Sequence, residues 1–169
     1  MGGSVVLCHT AVTWMTRNSW YNQPMKSSEF MRALPEAIRP KLPKRLRALQ
    51  TAGRAWLVQF YYDDPRIHYE VWNLGERRGR LEIGLHFEAR EADVNARLLD
   101  GMLAHLFEIK AELGPSFEAE PWDKGWTKVY ETIPLDKFSP EYLERVAARV
   151  AQVIGVLEPI RRDVQRRRR

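Results

Sequence analysis

Over residues 67–88 the apolar and polar positions alternate with a period of two. Ile67, Tyr69 and Val71 alternate with His68, Glu70 and Trp72. Leu81, Ile83, Leu85 and Phe87 alternate with Arg80, Glu82, Gly84, His86 and Glu88. In an extended chain that period sends one set of side chains to each face. Gly75 and Gly79 bracket a turn with Glu76, Arg77 and Arg78 at its tip, so the stretch predicts a β-hairpin with one buried face. Residues 55–62, dense in aromatic and β-branched side chains, predict a preceding strand, joined through the turn Asp63-Asp64-Pro65. Three strands on short connections make an antiparallel meander.

Beyond it the period changes. Val94, Leu98, Met102, Leu106, Ile109 and Leu113 recur every three or four residues and predict one amphipathic helix over residues 93–113, stopped by Gly114-Pro115. Leu99, Leu103 and Phe107 widen its apolar stripe beyond a single interface. Upstream, Ser27 or Ser28 is placed to cap a short helix reaching Leu34, and Leu42, Leu46 and Leu49 predict another over residues 44–50, ended by Gly53. Residues 116–120 and 126–133 read as strands around a tight turn from Trp122 to Gly125. Ser139-Pro140-Glu141 then opens a last helix striped by Leu143, Val146, Val150, Val153, Ile154 and Leu157, ending or kinking at Pro159. The order α-βββ-α-ββ-α predicts a two-layer α+β domain, an antiparallel sheet of about five strands covered by helices.

Composition refines the boundaries. Residues 1–24 hold one charge, Arg17, and Met25 precedes a polar, cap-like start, so 1–24 reads as a loose extension, 25–160 as one domain and 161–169 as an Arg-rich tail. The tail holds six Arg and one Asp and so accounts for the whole formal charge of +5. Within the rest, residues 39–54 carry six basic residues and no acid, while residues 55–160 carry 12 basic and 19 acidic ones. That polarity allows nucleic-acid contact and equally allows the basic parts to neutralise an acidic body. One cysteine, Cys8, excludes an internal disulfide and suits a reducing cytoplasm. No run has the ~18 to 20 apolar residues of a membrane helix.

The element order over residues 27–160 resembles that of the type III secretion chaperones, which implies a chaperone-like, non-enzymatic role. Residues 95–126, with Asn95, Leu98, Ile109, Leu113-Gly114, Trp122 and Trp126, resemble an uncharacterised bacterial domain found at the ends of some restriction-nuclease-like proteins.

The polar face of the hairpin is the leading candidate site. If Leu74 pairs with Arg80, then Trp72 faces Glu82, Glu70 faces Gly84 and His68 faces His86. Two histidines with Glu70 and Glu88 nearby could bind a divalent metal. Alternation alone also puts polar residues there, and no HExxH spacing is present. The expectation is therefore a partner-facing surface of His68, Glu70, Trp72, Glu82 and His86, with no metal and no cofactor assigned. Glu108, Glu112, Glu118, Glu120 and Asp123 cluster in sequence and include an ExK spelling, Glu108-Ile-Lys110. That stretch is helical, where a metal-dependent nuclease would want it on a strand. No GxSxG, P-loop or GxGxxG occurs, and Cys8 beside His9 makes no catalytic pair.

The sequence thus favours a protein- or peptide-binding domain over an enzyme, with a homodimer through residues 93–113. The alternative is a nucleic-acid-associated accessory protein that uses Arg39, Lys41, Lys44, Arg45 and Arg47 with the terminal Arg166, Arg167, Arg168 and Arg169.

Overall fold

The computed structural model describes residues 24–166. Six antiparallel strands form one open sheet: β1 (Gln50–Arg54), β2 (Leu57–Tyr61), β3 (Ile67–Asn73), β4 (Arg80–Phe87), β5 (Glu118–Pro121) and β6 (Thr127–Pro134). Their spatial order is β1-β2-β3-β4-β6-β5. Four α-helices accompany it among the described residues: α1 (Ser27–Ile38), α2 (Ala92–Leu103), α3 (Leu106–Leu113) and α4 (Pro140–Arg166). The α+β class, the antiparallel sheet and the covering helices agree with the alternation. No helix among the described residues is long and apolar enough to cross a membrane.

The alternating apolar positions build the core. Val58, Phe60, Tyr69, Val71, Leu81, Ile83, Leu85, Phe87 and Val129 project from the sheet. They pack with Phe30, Met31, Leu34 and Ile38 of α1 and Val146, Val150, Ile154 and Leu157 of α4. Each such side chain contributes about 1.5–3 kcal/mol on burial. The hairpin register follows the sequence expectation: Leu74 N–H bonds to Arg80 O, and Trp72 pairs with Glu82, Glu70 with Gly84 and His68 with His86.

Four elements differ from the sequence reading. Residues 44–50 are not a helix. Two short 3-10 turns, at residues 39–41 and 44–46, lead into the additional strand β1. Leu42, Leu46 and Leu49 are buried as expected, but the carbonyls of this irregular segment are satisfied by arginines. Arg47 donates to Leu42 O and Pro40 O, and Arg39 donates to Arg47 O. The first helix starts without a serine cap: the Glu29 carboxylate accepts from the Lys26 N–H, while Ser27 Oγ donates to Ala55 O. It also passes Pro35, because Phe30, Leu34 and Ile38 bury their face on both sides of the proline. The long helix over residues 93–113 is broken at Ala104-His105 into α2 and α3.

The fourth difference is at the C-terminal end. α4 runs through Pro159 to Arg166, so residues 161–166 are helix rather than tail. Tertiary contacts override the proline. Glu158 is fully buried and accepts from Tyr69 Oη at 2.9 Å, from Arg161 at 2.8 and 2.5 Å, and from Arg162 at 2.7 Å. One turn on, Val164 packs against α2 at Gly101, where a β-carbon would overlap it. Residues 167–169 lie outside the described residues, as do residues 1–23 of the expected extension.

Removing Arg161 leaves a buried carboxylate short of its main partner. Arg161→Ala is expected to cost about 3 kcal/mol in urea unfolding. A chain ending at Ile160 should lose at least as much, and one ending at Arg166 should keep full stability.

Candidate functional site

The sheet face opposite the helices is where the polar set of the hairpin falls. β2 contributes Gln59, β3 contributes His68, Glu70 and Trp72, and β4 contributes Glu82, Gly84 and His86. β6 adds Lys128 and Tyr130, paired with His86 and Gly84, and β5 adds Glu118 and Glu120. Glu88 follows directly on β4. Gly84 sits in regular pairing rather than a bulge. A β-carbon there would lie 2.5 Å from Tyr130 Cβ and 2.8 Å from Val129 O, so β4 and β6 approach as they do only with glycine at that position.

The structure brings the five expected residues together but does not leave them all exposed. His68, Glu70, Glu82 and His86 are buried, and of the five Trp72 alone is half-buried. Tryptophans account for part of the cover. Trp122, from the β5–β6 turn, stands edge-on to His86 at 5.5 Å between ring centroids, and it contacts Trp72 at 6.0 Å and Trp126 at 5.7 Å. The face is therefore a buried polar floor with a half-buried aromatic rim. Gln59, Lys128, Tyr130, Trp122 and Trp126 belong to it and were not singled out in the sequence as parts of this site. The alternation in residues 126–133 was the signal that could have placed Lys128 and Tyr130 there.

The floor is dense in hydrogen bonds and charge. His68 Nδ1 lies 2.8 Å from Pro65 O, an acceptor, so Nδ1 carries the proton. The Gln59 amide nitrogen donates to Glu70 Oε2 at 2.9 Å and faces His68 Nε2 at 3.0 Å. Lys128 Nζ donates to Glu82 Oε2 at 2.9 Å and lies 3.7 Å from the Tyr130 ring centroid and 5.4 Å from that of Trp122. His86 stacks on His68 with centroids 5.6 Å apart. Its Nε2 is 3.2 Å from Glu82 Oε1 and its Nδ1 is 3.7 Å from Glu88 Oε1, yet neither nitrogen completes a hydrogen bond of good geometry. Burial pushes the His86 imidazole down, but Glu82, Glu88 and Glu70 outweigh it and raise its pKa to about 9. Burial raises Glu70 and Glu82 too. His86, with Gln59 at Glu70 and Lys128 at Glu82, pulls both carboxyls below the usual range.

Among the described residues, several of the basic side chains of the nucleic-acid alternative already have partners within the chain. Arg39 and Arg47 are engaged with backbone carbonyls, and Lys41 pairs with Glu144 at 2.6 Å. Lys44 and Arg45 are exposed beside them. Arg166 ends α4, 3.9 Å from Asp163, and Arg167, Arg168 and Arg169 lie outside the described residues. The acids proposed for a nuclease are scattered: Glu108 pairs with His105, and Glu120 accepts from Tyr130. Among the described residues, His68, His86 and Glu88 are the group whose donor atoms come close enough to share a metal ion. No protein-family model, curated protein or solved structure matches the chain.

The Lys128–Glu82 pair is buried on both sides. Lys128→Met should cost about 3–5 kcal/mol by leaving Glu82 uncompensated. Adding Glu82→Gln should recover part of that loss, as read from denaturant midpoints.

Proposed function

We propose that this chain is a non-enzymatic, chaperone-like binding domain that receives a basic segment of a protein partner on the tryptophan rim of its sheet. The observation that carries this reading is the cluster of Trp72, Trp122 and Trp126 above a floor rich in carboxylates. Half-buried tryptophans grouped within 6.0 Å are the kind of surface that anchors partner side chains. Glu118 and Glu120 flank them on the edge strand β5. The rim also takes cations within its own chain: Lys124 lies 5.2 Å from the Trp126 ring centroid, and Lys128 sits over Trp122. Arginine or lysine side chains of a partner fit the same indole and carboxylate chemistry. A polyanion does not suit this face.

The homodimer belongs to the same reading. Phe107 is 87% exposed and Leu103 is 41% exposed, one helical turn apart across the α2–α3 break. About a two-fold axis these two side chains from each copy make a self-complementary apolar contact. This is where the widened stripe of the sequence is left uncovered.

Tryptophan fluorescence with Arg-rich, Glu-rich and oligonucleotide ligands tests the partner class. The Arg-rich peptide is expected to bind in a salt-sensitive way, and Trp122→Ala should weaken it by at least about tenfold, roughly 1.4 kcal/mol. Preference for the oligonucleotide would instead favour the basic segments. Light scattering should give a dimer for the native chain and a monomer for Phe107→Glu. A native monomer at micromolar concentration would remove the dimer.

A further inference from the structure

Beneath the rim, the charges of the floor do not balance. The carboxylates of Glu70, Glu82 and Glu88 converge on the two histidines, and Lys128 neutralises Glu82. Two negative charges then remain for the imidazoles. His68 is engaged at both ring nitrogens. Its Nδ1 proton is committed to Pro65 O, and its Nε2 faces the Gln59 amide nitrogen. Glu70 requires that nitrogen to be the donating end of the amide, because a carboxylate accepts only. Nε2 therefore accepts from the Gln59 amide, and an ion bound there would take over that lone pair.

We infer that His68, His86 and Glu88 form a binding site for one divalent transition ion of the zinc type, with Glu70 as a fourth oxygen donor. One donor atom from each of the three residues lies within 4.8 Å of the others. Glu88 Oε1 is 4.0 Å from His68 Nε2 and 3.7 Å from His86 Nδ1. Donors around a tetrahedral zinc, at bonds of ~2.0–2.1 Å, stand about 3.3 Å apart. Closing the cluster asks for side-chain rotation of well under the length of a side chain. The Glu88 carboxylate, with 20% of its side chain exposed, can both move and provide access from solvent.

Both histidines are already oriented as metal ligands are. A ligating imidazole usually gives its other nitrogen to a carbonyl or carboxylate, which fixes the ring and raises its basicity. His68 gives Nδ1–H to Pro65 O. His86 has Nε2 3.2 Å from Glu82 Oε1 and Nδ1 3.7 Å from Glu88 Oε1; both nitrogens are buried, neither completes a hydrogen bond, and Nδ1 is left for the proposed ion. Two imidazoles with carboxylate oxygens suit zinc, cobalt or nickel rather than calcium. The burial makes this a closed, structural centre and not a reactive one. The absence of HExxH spacing does not bear on it, because the histidines meet across β3 and β4 rather than along one helix.

The test uses the full, tag-free chain, stripped with chelator and titrated with Zn²⁺ and Co²⁺. One equivalent of metal per chain is expected, with intense visible absorption from the Co²⁺ form and a rise in melting temperature. His68→Gln and Glu88→Gln each remove a direct ligand and should weaken Zn²⁺ binding by more than the roughly tenfold that loss of an outer-shell partner costs. His105→Gln, at the α2–α3 break and outside the cluster, and Cys8→Ser, which removes the chain's one thiol, should leave it unchanged. Substoichiometric metal, a Co²⁺ spectrum typical of the hexaaqua ion, or binding retained by both His68→Gln and Glu88→Gln would overturn the site. The floor would then stand as a carboxylate cage around an imidazolium. Because the native chain itself carries the stoichiometry and the spectrum, a variant that fails to fold does not remove the test.

Discussion

Strand β4 imposes the constraint on which the rest depends: both of its faces are shielded from water, and only one is apolar. Leu81, Ile83, Leu85 and Phe87 meet the helices, and Glu82 and His86 are equally buried on the other side. An apolar strand face needs only cover. A buried charged face needs compensation at close range, since burying an unpaired charge costs several kcal/mol. The neighbours of β4 meet that need. β6 supplies Lys128 directly opposite His86, four residues along β4 from the Glu82 it neutralises, and β3 supplies the second histidine. Gly84 allows β6 close enough for this to happen.

The helical layer is tied to the sheet by the same physics. Tyr69 points from β3 to Glu158 of α4, which also gathers Arg161 and Arg162. Arg149 of α4 reaches Glu131 on β6 at 2.5 Å and also donates to the Leu113 carbonyl at the end of α3. Hydrophobic burial alone would let a helix with a broad stripe slide along an apolar sheet. Two ionic knots about two and a half turns apart on α4 leave one position in which both close. That is a statement about specificity more than about net stability, since buried ion pairs often only offset their own desolvation.

Where the sequence was legible, a local pattern coincided with a tertiary need. The period of two and the glycines at 75 and 79 were enough to place His68 against His86, because turn and alternation demand the same register. Residues 39–54 failed for the opposite reason. Leu42, Leu46 and Leu49 are spaced as on a helix, but what decides their backbone is Arg39 and Arg47 donating to carbonyls within the same segment, and no periodicity reports that. Pro159 reads as a stop, and Glu158 with Val164 overrules it from contacts made elsewhere in the chain. The hairpin's polar face read as an open, partner-facing surface because its cover includes Trp122, a residue far along the chain whose local pattern says only that it lies in a turn.

That cover changes what each residue on the face can do. A side chain buried like His86 cannot touch a partner without the rim opening, so its chemistry is directed inward, at charge and protons or an ion. Trp122 faces both ways: its ring meets His86 of the floor, and part of it stays open to solvent. Trp122 is the joint between the two, in contact with His86 below and with Trp72 and Trp126 beside it. A face that read in the sequence as a single binding surface is two layers, a buried charged floor and a half-buried aromatic rim, joined where Trp122 meets His86.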